Sequence, residues 1–314
     1  MADNFLIDQW YFDDGGSQQI KSENMHELKI QTGNWYHCHR EAASLRKWLQ
    51  FNQIEPSIIH SLLRDDTRPR FERYDDGSFL LILRGVNLNE GAKPDDMLSI
   101  RMFWKDNALI STNKMSSRTI NSIRSALLKK EGPKQLPDLL MGIIAGLNLN
   151  IEKFLNQMEA QLFELDDTDY DGSELQVIHK RILKLKRFLK PQQYAINDLV
   201  EADMPEISSV ESHSWNVLDT STRVTESMDF YLEQIQVMKS ELEQEQAEKM
   251  NRNTYLFTIV AAIFLPLGFL TGLLGINIGG MPGVDNPTAF GLFCVGLVIT
   301  LVIELCLLKW LKFF

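Results

Sequence analysis

The chain has 314 residues, with 32 Lys and Arg against 42 Asp and Glu, and a formal net charge of −10. Hydrophobic residues at 44% and charged residues at 24% exclude wholesale disorder, and three cysteines exclude a disulfide scaffold. The acidic balance argues against a general nucleic-acid binder, which needs a basic surface to neutralise phosphates.

The chain begins MADNFLIDQW, an acidic run that reads as no signal peptide. The first 115 residues read as short strands mixed with helices. In an extended His37-Cys38-His39 the two histidines share one face and the cysteine opposes them. Two imidazoles suit a cytosolic Zn²⁺ site, but no CxxC or HxxxH completes a ligand set, so a plain surface strand stands beside that reading. Helices are expected over 41–51 and 56–63. Strands over 70–74 and 78–88 flank the hairpin signal Asp75-Asp76-Gly77, and a second hairpin joins 97–105 to 108–113 around Asp106-Asn107. A helix over 117–130 follows, then the punctuation of Gly132-Pro133 and Pro137.

Beyond Pro137 the pattern is helical, over 139–165 and 174–202. Between these runs, Asp167, Asp169, Asp171 and Gly172 copy the start of a calcium loop, but its twelfth position is Ile178 instead of Glu, so an acidic turn is the alternative. Lys180, Arg181, Lys184, Lys186, Arg187 and Lys190 put six bases into eleven residues. Alone they suit RNA or anionic lipid. The stripe Ile182, Leu185 and Leu189 points instead to a packed helix whose bases meet Glu152, Glu159 and Glu164. A third run starts near Ser209 and meets no Gly or Pro before Pro266. Leu218, Thr225, Met228, Leu232, Ile235 and Leu242 fall near heptad spacing, while 241–249 is almost purely polar. One helix over 209–274 would be about 100 Å long. It would need neighbours to be stable, which favours a symmetric oligomer.

The last 61 residues are a different kind of chain: residues 254–314 carry only Lys309, Lys312, Asp285 and Glu304, and 253–284 carry no charge. A bilayer core takes roughly 20 apolar residues as helix. Residues 254–274 (TYLFTIVAAIFLPLGFLTGLL) and 289–308 (AFGLFCVGLVITLVIELCLL) each supply that length, and the Gly- and Pro-rich 275–288 turns between them. Lys249 and Arg252 precede the first span and Lys309 and Lys312 follow the second, so both termini are expected in the cytoplasm and the loop outside. Two spans cannot enclose a solute path within one chain. The protein is therefore either an anchored soluble protein or one that builds a path by oligomerising.

The first span bears on that choice. Asn251, Thr254, Thr258, Ala261, Leu265, Gly268 and Gly272 recur at steps of three and four, which is one narrow helix face of small or polar residues with Leu265 as its bulky member. Phe257, Ile259, Val260, Ile263, Phe264, Phe269 and Leu270 lie on the other faces. A wet lining and a tight helix–helix contact through Gly268-xxx-Gly272 both explain the pattern. Glu304 lies within the second span, where a carboxylate is a candidate for proton or ion coupling, or else bonds a neighbour near the inner interface. No GxxxxGK[ST] motif or catalytic triad is present, which argues against an ATP-driven pump and against an enzyme.

Residues 251–283, NRNTYLFTIVAAIFLPLGFLTGLLGINIGGMPG, resemble the CorA family of divalent-cation transporters, whose Gly-Met-Asn signature corresponds here to Gly275-Ile276-Asn277. The loop Gly279-Gly280-Met281-Pro282-Gly283 and the run Asn251-Arg252-Asn253-Thr254-Tyr255 are similar to the ZntB branch. The resemblance implies a funnel-shaped homopentamer in the bacterial inner membrane, with an α+β cytoplasmic domain layered α/β/α, a long helical stalk and two C-terminal spans. By this division, residues 1–135 form the α/β domain, 136–208 the outer helical pair, 209–253 the stalk, 254–274 and 289–308 the spans, and 309–314 a basic tail.

The same resemblance implies that five first spans line an axial pore and that Zn²⁺ is the cargo, with proton coupling in some members and no resident cofactor. Mg²⁺, Co²⁺, Ni²⁺ and Cd²⁺ are further candidate ions. Leu274 and Gly283 depart from the magnesium-type pattern of Tyr before the signature and Glu after Met-Pro, which weighs toward Zn²⁺. Asn277 side chains with carbonyls at Gly275 and Ile276 suit a hydrated cation, because neutral oxygens release it easily. A ring of Leu265 would constrict the path, while Gly268, Gly272 and Pro266 would expose backbone carbonyls.

Overall fold

The computed structural model describes residues 4–13, 16–21, 27–166, 172–202, 204–205, 208–276, 283 and 286–311. The chain divides into two units, Met1–Met238 and Lys239–Phe314.

The first unit is built on a seven-stranded sheet. Its strands are β1 (Leu6–Asp13), β2 (Gly16–Gln19), β3 (Asn34–His39), β4 (Arg70–Arg73), β5 (Phe79–Gly85), β6 (Leu98–Lys105) and β7 (Ala108–Asn113). Their order is β2-β1-β3-β7-β6-β5-β4, antiparallel except where β3 runs parallel to β7. Strands β5, β6 and β7 are buried on both faces, so they read as near-continuous apolar runs. Phe79, Leu81, Leu83, Ile100, Met102 and Trp104 turn to one side. They meet Ile120 of α3 (Arg118–Leu128), Ile143 of α4 (Leu136–Asp166) and Ile196 of α5 (Gly172–Glu201). Leu80, Ile82 and Phe103 turn to the other side, against α1 (Ala43–Phe51) and α2 (Pro56–Leu63). The result is an α/β/α sandwich.

Both expected hairpins form. Gly77 takes φ +82° while the Ser78 amide bonds Asp76 Oδ1 at 3.0 Å. Asp106 and Asn107 take φ +49° and +54°, the left-handed pair of a tight two-residue connection. The strands β1 and β2 were not foreseen. Strand β1, LIDQWYFD, buries Asp8 and Gln9 beside Trp10, so no clean alternation marks it. Helix α4 starts three residues earlier than the pattern suggests, with Pro137 inside its first turn, where a missing N–H costs nothing. A Cβ on Gly146 of α4 would lie 2.6 Å from Thr119 Cγ2 on α3. Gly146→Leu is therefore expected to push the two helices apart at about 1–3 kcal/mol, read as a lowered Tm.

The long helix α6 (Glu211–Leu274) has 64 residues. Within the first unit it buries Val217, Ser221, Val224, Met228, Tyr231, Ile235 and Met238, at steps of four and three. Thr225, Met228 and Ile235 of the expected seam are buried, whereas Leu218, Leu232 and Leu242 are only half-buried. The bases of α5 also pair differently from expectation. Lys184 bonds Asp95 at 3.0 Å and also Asp96, and Lys186 reaches Asp229 of α6 at 2.7 Å, while Glu152 faces Arg223 at 3.6 Å. Ile182, Leu185 and Leu189 are buried, so the α5 stripe packs as expected. The calcium-like residues 167–171 lie outside the described residues.

The second unit holds the remainder of α6 and α7 (Ala289–Trp310), and both helices are long and apolar enough to cross a membrane. Before the apolar stretch, α6 is exposed and polar all round, held by the i,i+4 pairs Lys239–Glu243 and Glu245–Lys249, each 3.7 Å.

Candidate ion pathway along the first membrane span

The face expected to matter on the first candidate span is exposed. Asn251, Thr254, Thr258, Ala261, Leu265, Gly268 and Gly272 are all exposed, whereas Ile259, Ala262, Ile263, Pro266, Leu267 and Leu270 form the half-covered stripe. Phe257, Val260, Phe264 and Phe269 are exposed as well, so the half-covered stripe marks the side that packs within the chain and leaves both the small, polar face and the large apolar one uncovered. A Cβ at Gly268 or Gly272 would meet nothing within 4 Å. Packing among the described residues therefore does not require those glycines.

The polar groups on and beside this face are partly committed. Thr258 Oγ1 donates to the Thr254 carbonyl at 2.8 Å, which leaves the hydroxyl oxygen as an acceptor for water or a cation. Thr271, which the sequence reading passed over, donates from Oγ1 to the carbonyls of Leu267 at 2.9 Å and Gly268 at 3.1 Å. The signal was available: a Thr in a span turns back on its own helix when no other acceptor is near. At the C-terminal end of α6 the Gly275 amide bonds Thr271 O at 2.9 Å and Gly272 O at 3.2 Å, closing the helix. Gly275 and Ile276 thus follow directly on the C-terminal end of α6, where the last carbonyls and the negative end of the helix dipole favour a cation. Asn277, Gly279, Gly280, Met281 and Pro282 lie outside the described residues; Gly283 is described, with φ +97°.

Glu304 lies on the covered stripe of α7 with Leu297, Thr300, Leu301 and Leu308. Both its carboxylate oxygens are shielded and have no hydrogen-bond partner among the described residues. Thr300, one turn away, spends its hydroxyl on the Gly296 carbonyl at 3.0 Å.

The histidines belong to the other unit. His37 is buried in β3, between β1 and β7, instead of lying on a surface strand, and its Nδ1 is 2.8 Å from Ser111 Oγ. His39 follows at the strand end, half-buried, on the same face, with Cys38 buried on the opposite one. No group of three or more His, Cys, Asp or Glu able to hold a metal ion occurs among the described residues.

A soluble α/β/α unit, a long helix and two C-terminal candidate spans with a small, polar, uncovered face on the first define the CorA-like fold. The chain belongs to the family of CorA-like Mg²⁺ transporter proteins, whose profile matches residues 31–310; the family is one of transporters. It is 44% identical over 310 residues to the zinc transport protein ZntB of Vibrio parahaemolyticus, covering 98% of this chain and 97% of that protein. The crystal structure of the ZntB cytoplasmic domain from Vibrio parahaemolyticus aligns with TM-score 0.74 at 38% identity, covering 78% of this chain and 99% of the other. A structure of full-length CmaX aligns with TM-score 0.83 at 27% identity over 98% of both chains.

Proposed function

We propose that this protein transports Zn²⁺ across the bacterial inner membrane, along an axial path lined by the first span of each subunit in a homopentamer. The observation that carries the reading is the exposed face of small and polar residues from Asn251 to Gly272 on α6, with two glycines where an added Cβ would meet nothing within 4 Å among the described residues. The full-length relationship to a protein named for zinc transport supports the cargo. Oligomerisation is supported by the large apolar side chains that α6 leaves exposed, Trp215 at 53%, Phe230 at 59% and Val237 at 53%. A helix with so much uncovered surface needs neighbours. The basic flanks of the spans support an orientation with both termini in the cytoplasm. Asn277 with the backbone at Gly275 and Ile276 receives the hydrated ion at the outer mouth, and Leu265 forms the apolar constriction. The family description favours one other reading, a Mg²⁺ or Co²⁺ channel.

Flux of Zn²⁺, Mg²⁺ and Co²⁺ into proteoliposomes, with and without a pH gradient, separates the two. Zn²⁺ flux supports the proposal. Mg²⁺ flux that exceeds it and ignores pH overturns it in favour of the channel. Glu304 is the coupling candidate, because a carboxylate without a partner inside a span exchanges a proton or a cation more readily than a bonded one. One pH unit carries about 1.4 kcal/mol per proton, a tenfold change in accumulation. Glu304→Gln is expected to keep Zn²⁺ flux and lose that response. A variant that responds like the wild type removes Glu304 from the coupling.

A further inference from the structure

We propose that the outward face of α5 in one subunit packs against the outward face of α6 in the next, a head-to-tail contact that repeats around the oligomer. The inference rests on the homopentamer proposed above and names the two surfaces that hold its soluble units together. Both surfaces lie opposite a buried seam. On α5 that seam is Leu175, Ile178, Ile182, Leu185 and Leu189, and on α6 it runs from Val217 to Met238.

Outward on α5 stand Val177, Lys180, Leu183, Arg187, Lys190 and Tyr194, at steps of three and four. Val177 is 50% exposed, Leu183 47% and Tyr194 58%. Outward on α6 stand Trp215, Asp219, Glu226, Phe230, Glu233 and Val237. Each face thus mixes large apolar side chains with charges of one sign, and the two signs are opposite. The pitch agrees as well. Lys180 and Arg187 are seven residues apart, as are Asp219, Glu226 and Glu233 in turn, which is about 10.5 Å on a helix.

Little within the chain answers these charges. Lys184 and Lys186 are committed to Asp95, Asp96 and Asp229, but Lys180, Arg187, Glu226 and Glu233 form no ion pair among the described residues. Arg187 lies over the Phe188 ring at 5.5 Å, and Lys190 donates to Gln193 Oε1 at 3.3 Å beside the Tyr194 ring. Asp219 meets Arg223 at 4.0 Å, a guanidinium it shares with Glu152 at 3.6 Å. A contact of α6 with its own copy would set acid against acid, and one of α5 with its own copy base against base. Each face repels itself and matches the other, so the contact is heterologous, and a heterologous contact whose rotation closes makes a ring. The apolar members supply the burial, and the charges choose the partner. Anionic lipid would match α5 alone and leave the acidic, aromatic face of α6 uncovered.

The test uses the full-length protein in detergent, with Cys294→Ser and Cys306→Ser, and Cys38 left in place because it is buried. Arg187→Cys and Glu226→Cys are carried on separate, differently tagged chains, which are co-expressed and treated with a short bismaleimide. Cross-links are expected between the two kinds of chain and not within either kind. Adding Lys180→Glu and Lys190→Glu to the first chain is expected to lower the yield about tenfold, and adding Asp219→Lys and Glu233→Lys to the second is expected to restore it. Links only among Glu226→Cys chains would put α6 against α6 and overturn the proposal. An intact oligomer with no cross-link overturns this contact and leaves the oligomer standing, whereas a monomeric wild type overturns both. A fluorophore on Arg187→Cys that responds to anionic lipid in nanodiscs, without cross-linking, overturns the proposal and gives the α5 face to the membrane.

Discussion

Asn277→Ala is expected to reduce Zn²⁺ flux in proteoliposomes by between one and two orders of magnitude, with the oligomer intact. On the proposed reading, five copies of the change act on one ion. The outer mouth has no fixed charge from Gly275 to Val284, so a hydrated cation is met there by dipoles alone. If each amide contributes about 0.5 kcal/mol, at the low end for a net hydrogen bond, five contribute about 2.5 kcal/mol, or nearly a hundredfold. Asn277→Gln keeps the amide on a longer arm and is expected to fall between the wild type and Ala. Asn277→Asp adds five carboxylates and is expected to bind Zn²⁺ more tightly while passing it more slowly, because conduction needs release as well as capture. Full flux in Asn277→Ala would remove the outer ring from the mechanism. Absence of flux in a well-assembled wild type would instead favour an anchored sensor whose soluble unit does the work.

The membrane part was legible because the bilayer imposes length and apolarity on any span, and those show in a single sequence. The uncovered face was legible for the same kind of reason, as its period of three and four is local. Strands β5 to β7 and helix α2 announced themselves by apolar runs between turn residues, and β7 and α2 fall at the expected bounds. What escaped is non-local. The interior position of β3 depends on its pairing with β7, some 74 residues away, which no window of sequence displays. The expected α6 seam holds at Thr225, Met228 and Ile235 and fails at Leu218, Leu232 and Leu242. The true seam passes through Ser221 and Tyr231, which a search for leucines discards.

His37 is expected to make the soluble unit acid-sensitive in a way that separates its role in the core from a metal site. Trp35 Nε1 donates to Ser111 Oγ at 2.8 Å, so the Ser111 hydroxyl proton is free for His37 Nδ1, also at 2.8 Å. That arrangement fits a neutral ring with its proton on Nε2. Burial, reinforced by the charge of Arg124 and opposed by that of Asp8, pushes the His37 pKa down to about 3. An unfolded histidine titrates near 6.5. Between these values the unfolded chain binds a proton that the folded chain refuses, so stability is full above about pH 6.5 and falls as pH drops, by up to about 1.4 kcal/mol per unit. Asp8 adds loss only at lower pH: burial works to raise its pKa, but hydrogen bonds from Gln19 and Arg124 outweigh it and hold the carboxyl below its usual range. His37→Gln is expected to lower stability at neutral pH and to flatten the dependence between pH 6.5 and 4.5, where the wild type loses about 2–3 kcal/mol more than the variant. The measurement is denaturant unfolding of both full-length proteins across that range. Parallel curves would show that His37 does not titrate against folding. If Zn²⁺ stabilised the wild type at neutral pH and left the variant unchanged, the ring would be a ligand after all.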